Sequence, residues 1–343
     1  MDAKITKLRL SRMLSYDWLK IVGTAVGVII VWVLIFTMTA TRITPAQTFT
    51  IANYLGNNAM STEFNKSVSK AFSDKAFTGE IMEYTSIDLP TAGDVAGQLL
   101  EARITTDEGD VMFVSEQPNP DTAYTVQTTD ENGKTVEETK YGHTYLETFL
   151  AGYRWKVHNL DLENENSFFK QMERYLNQYY TNGYTDASSL DENKVEEAVR
   201  ARIKRTKDKR YKTEETIKKA VDEAIDRMQK YQKALVAFYG YLDEGLVTLT
   251  KTNYTLMDGE QYPFEGVFSI NLCPDTGRMG KLADIVGYSV EYKTSDDEDA
   301  ETTYVNSAKD MNVCLFNLNG EEEEFRYEAL LYVVHLIEQV KDK

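Results

Sequence analysis

The sequence is poor in cysteine and histidine, the side chains on which many catalytic and metal sites depend. It contains only two cysteines, Cys273 and Cys314, and three histidines, His143, His158 and His335. None of the five falls in a Cys-x-x-Cys or His-Glu-x-x-His pattern, which redox and zinc sites commonly use. A disulfide-rich scaffold is therefore excluded, while one disulfide or two buried thiols both remain open.

The chain also lacks the motifs that mark common catalytic sites. There is no Gly-x-Ser-x-Gly motif and no glycine-rich loop of the kind that binds phosphates. Carboxylate pairs are too frequent in so acidic a chain to single out a general acid and base. The sequence therefore predicts a protein that is not an enzyme and that carries no cofactor and no metal site.

Positive charge is scarce beyond the first residues of the chain. There are 38 basic and 55 acidic side chains, a net charge of −17, and residues 1–42 are net +4, so the remainder is net −21. So acidic a domain is unsuited to binding nucleic acid or an anionic membrane surface. The segment 200–212 is an exception, with eight basic residues and one acidic residue. We interpret it as a solvated helix junction or as a docking patch for an acidic partner or lipid headgroups.

The most prominent feature that is present is an uncharged run near the amino terminus. From Ile21 to Ala40 there are twenty residues without a charge, flanked by Lys20 and Arg42. A helix rises about 1.5 Å per residue, so a run of this length covers the ~30 Å hydrocarbon core of a membrane. The run has no polar face, which a core helix of a soluble domain would show. It predicts a transmembrane helix over residues 21–40.

The charges that flank this run predict its orientation. Five basic side chains and two acidic ones precede it, whereas Arg42 is the one basic residue close behind it. Because positive flanks stay in the cytoplasm, residues 1–20 are predicted to be a cytoplasmic tail and the following domain to lie outside. A cleaved export signal usually has a shorter apolar region. We therefore prefer an uncleaved signal anchor, and no cysteine follows closely that could carry a lipid.

The residues after this anchor predict alternating strands and helices. Alternating or continuous apolar runs favour strands at 48–54, 78–88 and 109–116, and helical spacing favours helices at 61–72 and 91–106. A β-α-β-α-β order within so short a stretch is typical of a parallel α/β sheet.

The second half of the sequence mixes long helices with further strands. Residues 123–142 read as a hairpin that turns at an Asn-Gly pair, and residues 144–182 are helical and rich in aromatic side chains. Helices are also predicted from a capping box at Ser189 and over 213–245, where Thr213 is the expected cap. Strands then return, and an amphipathic helix closes the chain.

Two stretches together resemble the extracellular solute-binding proteins of the type 2 periplasmic kind. The first is the series of strands and helices from Thr48 to Val114, which ends in EGDVMFV. The second is the closing strand and helix, VCLFNLNGEEEEFRYEALLYVVHLIEQV, from Val313 to Val340. In that family the export signal usually ends in a lipid-bearing cysteine, and this chain has a spanning helix instead.

The resemblance implies a two-lobed α/β ectodomain with a helix-rich second lobe. The first lobe is then 43–122, the second lobe 123–263, and 264–343 returns to the first lobe. Ligand contacts in such a fold are expected at the carboxyl ends of the first and third strands and at the lobe junction. The residues there are Asn53, Tyr54, Ser115 and Glu116, with Tyr153 or Trp155 as an aromatic wall.

These expectations lead to two hypotheses about function. In the first, a membrane-anchored extracytoplasmic protein captures a small ligand for a membrane partner, either an ABC-transporter-like protein or a sensor. The alternative is a non-catalytic cell-envelope scaffold that uses the same fold to bind protein. A pocket lined by converging polar groups would favour ligand capture, and a filled cleft or a large exposed apolar face would favour the scaffold.

Overall fold

The chain forms two compact units, Met1–Thr44 and Pro45–Lys343. The structure is a computed structural model, and it describes residues 7–39, 47–55, 61–79, 81–89, 95–106, 108–129, 133–207, 210–254, 263–293, 302–317 and 327–342.

The first unit contains one long helix, α1, Lys7–Thr39. Its segment Trp18–Thr37 has a mean hydropathy of 2.5 and no buried residue. The hydroxyl of Thr37 donates to the carbonyl of Val33 at 2.8 Å, so this polar group is satisfied within the helix, as a span in lipid requires. The helix begins earlier than predicted, in the basic flank, and it is long and apolar enough to span a membrane.

Charge placed at the centre of α1 is expected to weaken its insertion into a membrane. Each lysine at the middle of a span costs about 2.5–3.5 kcal/mol on insertion scales. We therefore expect the double variant Ile29→Lys, Val31→Lys to shift from the carbonate-resistant membrane fraction to the soluble fraction, while Ile29→Leu stays in the membrane. Equal membrane retention of both variants would contradict a spanning role for this helix.

The second unit is built around ten strands. They are β1 (Thr48–Tyr54), β2 (Glu83–Asp88), β3 (Val111–Ser115), β4 (Ala123–Thr129), β5 (Thr135–Tyr141), β6 (Thr248–Tyr254), β7 (Phe264–Asn271), β8 (Tyr288–Lys293), β9 (Thr302–Ser307) and β10 (Met311–Leu315) among the described residues. The helices that accompany them are α2 (Ser61–Ser73), α3 (Ala96–Thr105), α4 (Tyr145–Tyr153), α5 (Phe168–Asn177), α6 (Glu192–Thr206), α7 (Glu214–Asp243), α8 (Thr276–Met279) and α9 (Glu328–Glu338).

Six of these strands form a central mixed sheet in the order β2-β1-β3-β10-β7-β6. β1 pairs in parallel with both β2 and β3, which agrees with the parallel sheet predicted from the β-α-β-α-β order. β10 is antiparallel to both β3 and β7, and β6 is antiparallel to β7. The remaining strands form two separate hairpins, β4-β5 and β8-β9.

Helices cover both faces of the sheet, so the fold is mixed α/β with a core on each side. Successive strand residues point to opposite faces. Ile51 of β1 therefore joins the larger core, built with α2, α5, α6, α7 and α9, while the neighbouring Ala52 joins the smaller core under α3 and α4.

The helices of the middle segment belong to the same core as the strands. Tyr327, which precedes α9, packs against Phe168 of α5 and Tyr231 of α7, with ring centroids 5.4 Å and 5.7 Å apart. β6, from the segment assigned to a second lobe, is a strand of the central sheet. The two-lobed arrangement predicted from the boundaries 43–122, 123–263 and 264–343 is not confirmed.

Two predicted elements differ from the structure, and two agree with it. The helical segment at 144–182 is two helices, because Asn159 and Asp161 accept hydrogen bonds from backbone amides two residues ahead, which forms turns. The capping box predicted at Ser189 is wrong, since the side chain of Asp191 caps α6 instead. Thr213 caps α7 as predicted. The hairpin at 123–142 is β4-β5, and its predicted turn residue Asn132 lies outside the described residues.

The two cysteines are buried, and one arginine of the basic segment 200–212 is paired with carboxylates. Cys273 and Cys314 are free and buried in opposite cores, and burial raises the pKa of the Cys273 thiol to about 11. In the basic segment, Arg200 pairs with Glu196 and Glu214 at 2.7 Å and 3.0 Å. Residues 208–209 of that segment lie outside the described part of the chain.

A buried carboxyl connects the carboxyl-terminal helix to the rest of the core. Glu328 starts α9 and is 1 % exposed. It accepts hydrogen bonds from the hydroxyl and the amide of Thr78 and from the hydroxyl of Tyr231, the last at 3.0 Å. Burial raises the pKa of this carboxyl, because desolvation outweighs these hydrogen bonds.

Glu328 is expected to make stability depend on pH. A carboxyl whose pKa is raised on folding stabilises the fold fully below its unfolded pKa, about 4.3, and this contribution is lost as pH rises through the folded pKa. The melting temperature of the full chain in detergent, relative to that of Glu328→Gln, is expected to fall from pH 4 to pH 7 when followed by circular dichroism. Glu137→Gln, at an exposed site, controls for loss of one charge, and a difference that stays constant with pH would contradict the account.

Candidate functional site

A cavity of about 370 Å³ lies at the carboxyl ends of β1 and β3. Both strand ends contribute to it directly, through Leu55 and Ser115. The rest of its wall comes from the loop after β3, the end of β5, the start of α4 and the first residues of β8. The lining residues are Leu55, Ser115, Gln117, Pro118, Pro120, Tyr141, Tyr145, Tyr288, Ser289 and Val290.

The loop after β3 forms one side of the cavity and is fixed by the buried side chain of Asn119. Its Oδ1 accepts from the amide of Asp121 at 3.0 Å, and its Nδ2 donates to Oγ1 of Thr148 at 3.0 Å. The backbone amide of Asn119 also donates to the carbonyl of His143 at 2.9 Å. Prolines on either side of Asn119 further restrict the loop, so this wall is largely preformed.

A capping box places Tyr145 at the mouth of the cavity. The hydroxyl of Thr144 accepts from the amide of Glu147 at 3.1 Å, and the carboxylate of Glu147 accepts from the amide of Thr144 at 2.8 Å. These bonds start α4 at Tyr145, whose own amide donates to the carbonyl of Gln117 at 3.0 Å. The helix start is therefore tied to the loop after β3.

Tyr288 forms the opposite wall and stays protonated. Its hydroxyl donates to the backbone carbonyl of Lys309 at 2.6 Å. Burial raises its pKa to about 12, and the carboxylate of Asp310 acts in the same direction. At neutral pH the phenol is therefore a fixed hydrogen-bond donor to the backbone, and its ring is held against the cavity.

The electrostatic field around the cavity is set by carboxylates. Glu116 is half-buried, and burial raises its pKa, with further increases from Asp310 and Glu147. Burial also raises the pKa of Tyr145, and Asp121 adds to that increase. Each of these charged neighbours is acidic, so Glu116 and Tyr145 both lie in a locally negative field.

The structure brings part of the predicted site together. Ser115 lines the cavity, and Glu116 follows it directly. Tyr54 packs edge-on against Tyr145, with ring centroids 5.8 Å apart, and so supports the wall from behind. Asn53 lies on the opposite face of β1, 2 % exposed, and its Oδ1 accepts no hydrogen bond from the described residues. Ligand binding by these residues stays a prediction.

The predicted aromatic residues Tyr153 and Trp155 do not line the cavity. α4 runs away from the cavity, and its far end reaches Val157, which pairs with Phe316 beside the start of β3. Trp155 is 67 % exposed there, and its indole donates to the carbonyl of Gly152. The aromatic wall is supplied by three other tyrosines, at positions 141, 145 and 288.

Sequence reasoning missed these three tyrosines for different reasons. Tyr145 was predicted only as part of an aromatic helix. Its place at the start of that helix was the signal that it lies near the carboxyl ends of the strands. Tyr141 closes a hairpin, which gives no indication of where the hairpin folds. Tyr288 reaches the cavity because β3 pairs with β10, about 200 residues later in the sequence, and the hydroxyl of Tyr288 on β8 then bonds to the backbone just before β10.

Among the described residues, two further clefts can be compared with this cavity, and their lining makes them weaker candidates. A wider cleft of about 580 Å³ lies between α6 and α7, but its central cation, Arg200, is already paired with Glu196 and Glu214. A smaller one of about 280 Å³ lies beside α9 and is lined by both acidic and basic side chains. Neither lies at strand ends, where α/β folds usually bind ligands.

Within the described ranges, no three His, Cys, Asp or Glu side chains converge as a metal site would require. Comparison of the chain with protein-family models, curated proteins and solved structures finds no match. Its function is therefore argued from the geometry of the cavity.

Removing the Asn119 side chain is expected to loosen the cavity wall and destabilise the fold. Asn119→Ala leaves the amide of Asp121 and the hydroxyl of Thr148 without their partner, at a cost of about 1–3 kcal/mol. Chemical unfolding of the full chain in detergent, followed by circular dichroism, measures this cost. Asn166→Ala, at an exposed loop position, is the matched control, and equal stability of the two variants would contradict the role given to Asn119.

Proposed function

We propose that this chain is a membrane-anchored, extracytoplasmic binding protein that holds a small ligand at the edge of its central sheet. The ligand is passed to, or sensed with, a protein partner in the membrane, such as an ABC-transporter-like protein. The observation that carries this proposal is the cavity at the carboxyl ends of β1 and β3. Its volume of about 370 Å³ lies within the ~300–1,000 Å³ that small-molecule sites occupy.

The position of the cavity in the topology supports ligand binding. In the order β2-β1-β3, the chain moves from β1 to one side to form β2 and then crosses to the other side to form β3. The connection that leaves the carboxyl end of β1 runs toward β2, whereas the later strands of this sheet, β6, β7 and β10, lie on the β3 side. The chain therefore leaves β1 and β3 in opposite directions, which opens a crevice between their carboxyl ends. Ligands of open α/β sheets bind at such switch points.

The resemblance to type 2 periplasmic solute-binding proteins supports the same proposal. It assigns ligand contacts to the ends of the first and third strands, and Ser115 at the end of β3 lines the cavity. The sequence of α1 and its basic flank supports an anchor with a cytoplasmic amino terminus. The binding domain then lies outside the cytoplasm.

The lining of the cavity supports binding without a chemical step. Ser115 is the hydroxyl nearest the strand end, and its Oγ accepts from the amide of Gln117 at 3.4 Å. No histidine or lysine is among the residues that line the cavity, so a base that would activate this serine is missing from the described wall.

The alternative, a scaffold that binds protein, is favoured by one observation. The β4-β5 hairpin is exposed along its length, and Tyr124, Val136 and Tyr141 are 43 %, 37 % and 48 % exposed. An exposed hairpin with apolar side chains offers both a strand edge and an apolar face to a protein partner.

Ligand capture is tested by a thermal-shift screen of the full chain in detergent. The panel holds sugars, oligosaccharides, peptides, amino acids, organic cations and metal ions. A ligand that binds the folded state raises the melting temperature by several degrees at about 100 times its dissociation constant. We expect the shift to be lost in Ser289→Trp, which fills the cavity from a half-buried position on β8.

The matched control is Asn306→Trp, at the residue of β9 that pairs with Ser289 and does not line the cavity. It is expected to keep the ligand-induced shift. A shift that persists in Ser289→Trp would place the ligand elsewhere, and a well-folded protein that responds to no member of the panel would favour the scaffold.

A further inference from the structure

The cavity is lined without any charged side chain, yet acidic residues bracket it. Glu116 stands between two lining residues, Ser115 and Gln117, and Asp121 follows the lining residue Pro120. None of the lining residues is Lys, Arg or His. Acidic residues are therefore sequence neighbours of the lining, and the described wall contains no positively charged side chain.

Acidic side chains in this region raise the pKa of the groups around them. After burial, the largest effects that raise the pKa of Glu116 are the negative charges of Asp310 and Glu147. Asp121 likewise adds to the effect of burial on Tyr54 and Tyr145. A field that holds back the ionisation of a carboxyl or a phenol favours a positive charge in the same place.

Lys140, a basic residue next to the lining residue Tyr141 in sequence, lies close to an acidic neighbour. Lys140 precedes the lining residue Tyr141, and its ammonium lies 3.6 Å from the carboxylate of Glu138 on the same hairpin. It is therefore held by a neighbour, and it does not line the cavity. The negative charge of Glu116 and Asp121, on the loop after β3, is therefore not neutralised by Lys140.

Three tyrosine rings add a second feature that suits a cation. Tyr141, Tyr145 and Tyr288 line the same cavity. Aromatic rings attract ammonium groups that lie within about 6 Å of the ring, and alkylated ammonium groups gain most because they are poorly hydrated. The hydroxyl of Tyr288 donates a hydrogen bond to the carbonyl of Lys309, which fixes the position of its ring at the cavity wall.

Building on the proposed function, we propose that the cavity binds a small organic cation, of the alkylated ammonium class. The tyrosine rings would contact its apolar and charged surface, and Glu116 and Asp121 would supply the opposite charge. Anions and free amino acids are disfavoured, because a ligand carboxylate would find no positively charged partner in the wall.

The test compares choline with 3,3-dimethylbutan-1-ol, which has the same shape and no charge. Isothermal titration calorimetry of the full chain in detergent measures both. We expect choline to bind at least about tenfold more tightly than the neutral alcohol. Ser289→Trp is expected to abolish choline binding, which places it in this cavity.

Charge variants separate the contributions of the two carboxylates. Glu116→Gln and Asp121→Asn are each expected to weaken choline binding by about twofold to tenfold and to leave the neutral alcohol unchanged. Glu137→Gln, at an exposed position of the β4-β5 hairpin outside the lining, is the matched control and is expected to bind choline as the unaltered chain does.

The outcomes distinguish this inference from the function on which it rests. If the neutral alcohol binds as tightly as choline, or if no organic cation binds while a panel member of another class does, the ligand class is wrong and ligand capture stands. If no compound binds at this cavity in either experiment, both are overturned. Equal choline affinity in Glu116→Gln, Asp121→Asn and the control would show that these carboxylates do not contribute to binding.

Discussion

The pairing of β10 with β3 is the constraint on which the candidate site depends. Met311 lies opposite Ser115, and the amide of Glu116 donates to the carbonyl of Asp310 at 3.2 Å. This antiparallel contact brings residues near 310 to the carboxyl end of β3, which the parallel strands alone would leave open. Through it the β8-β9 hairpin reaches the cavity, because the hydroxyl of Tyr288 donates to the carbonyl of Lys309.

Aromatic packing in the larger core holds the last helix, α9, against the first strands of the sheet. Tyr332 of α9 packs against Phe49 of β1 and Phe113 of β3, with ring centroids 5.3 Å and 6.2 Å apart, and its hydroxyl shares a short hydrogen bond with Ser67. Aromatic rings bury a large apolar area, and the shared hydrogen bond fixes their orientation. The last helix therefore holds the first strands in place, and Glu328 at its start adds polar bonds to the same core.

Local sequence patterns were enough to predict those elements whose formation depends mainly on neighbouring residues. The strand and helix order of residues 48–115 followed from apolar periodicity, and Thr213 was recognised as the cap of α7 because capping needs only neighbouring residues. Asp191 rather than Ser189 caps α6, since the backbone turns at 187–189 before the helix begins. Such one-turn shifts depend on the surrounding packing, which a sequence pattern does not contain.

The site itself was predictable only where it coincides with strand ends. Ser115 was found because carboxyl ends of strands are the expected location in an α/β sheet. Tyr288 was missed, because its position follows from pairing between distant strands, and Trp155 was misplaced, because the direction of α4 away from the cavity is a tertiary property. The two-lobed expectation came from the resemblance to solute-binding proteins, in which the helix-rich middle segment would form a second lobe. In the structure the aromatic side chains of that segment belong to the same core as the central sheet.

Hydrogen–deuterium exchange of the full chain in detergent, with and without a ligand from the panel, tests the central claim most directly. If the ligand sits at the carboxyl ends of β1 and β3, exchange is expected to slow in peptides that cover 115–122, 141–146 and 288–291, and to stay unchanged in α6 and α7. Slower exchange confined to the cleft between α6 and α7, or to the β4-β5 hairpin alone, would contradict the assignment of the site.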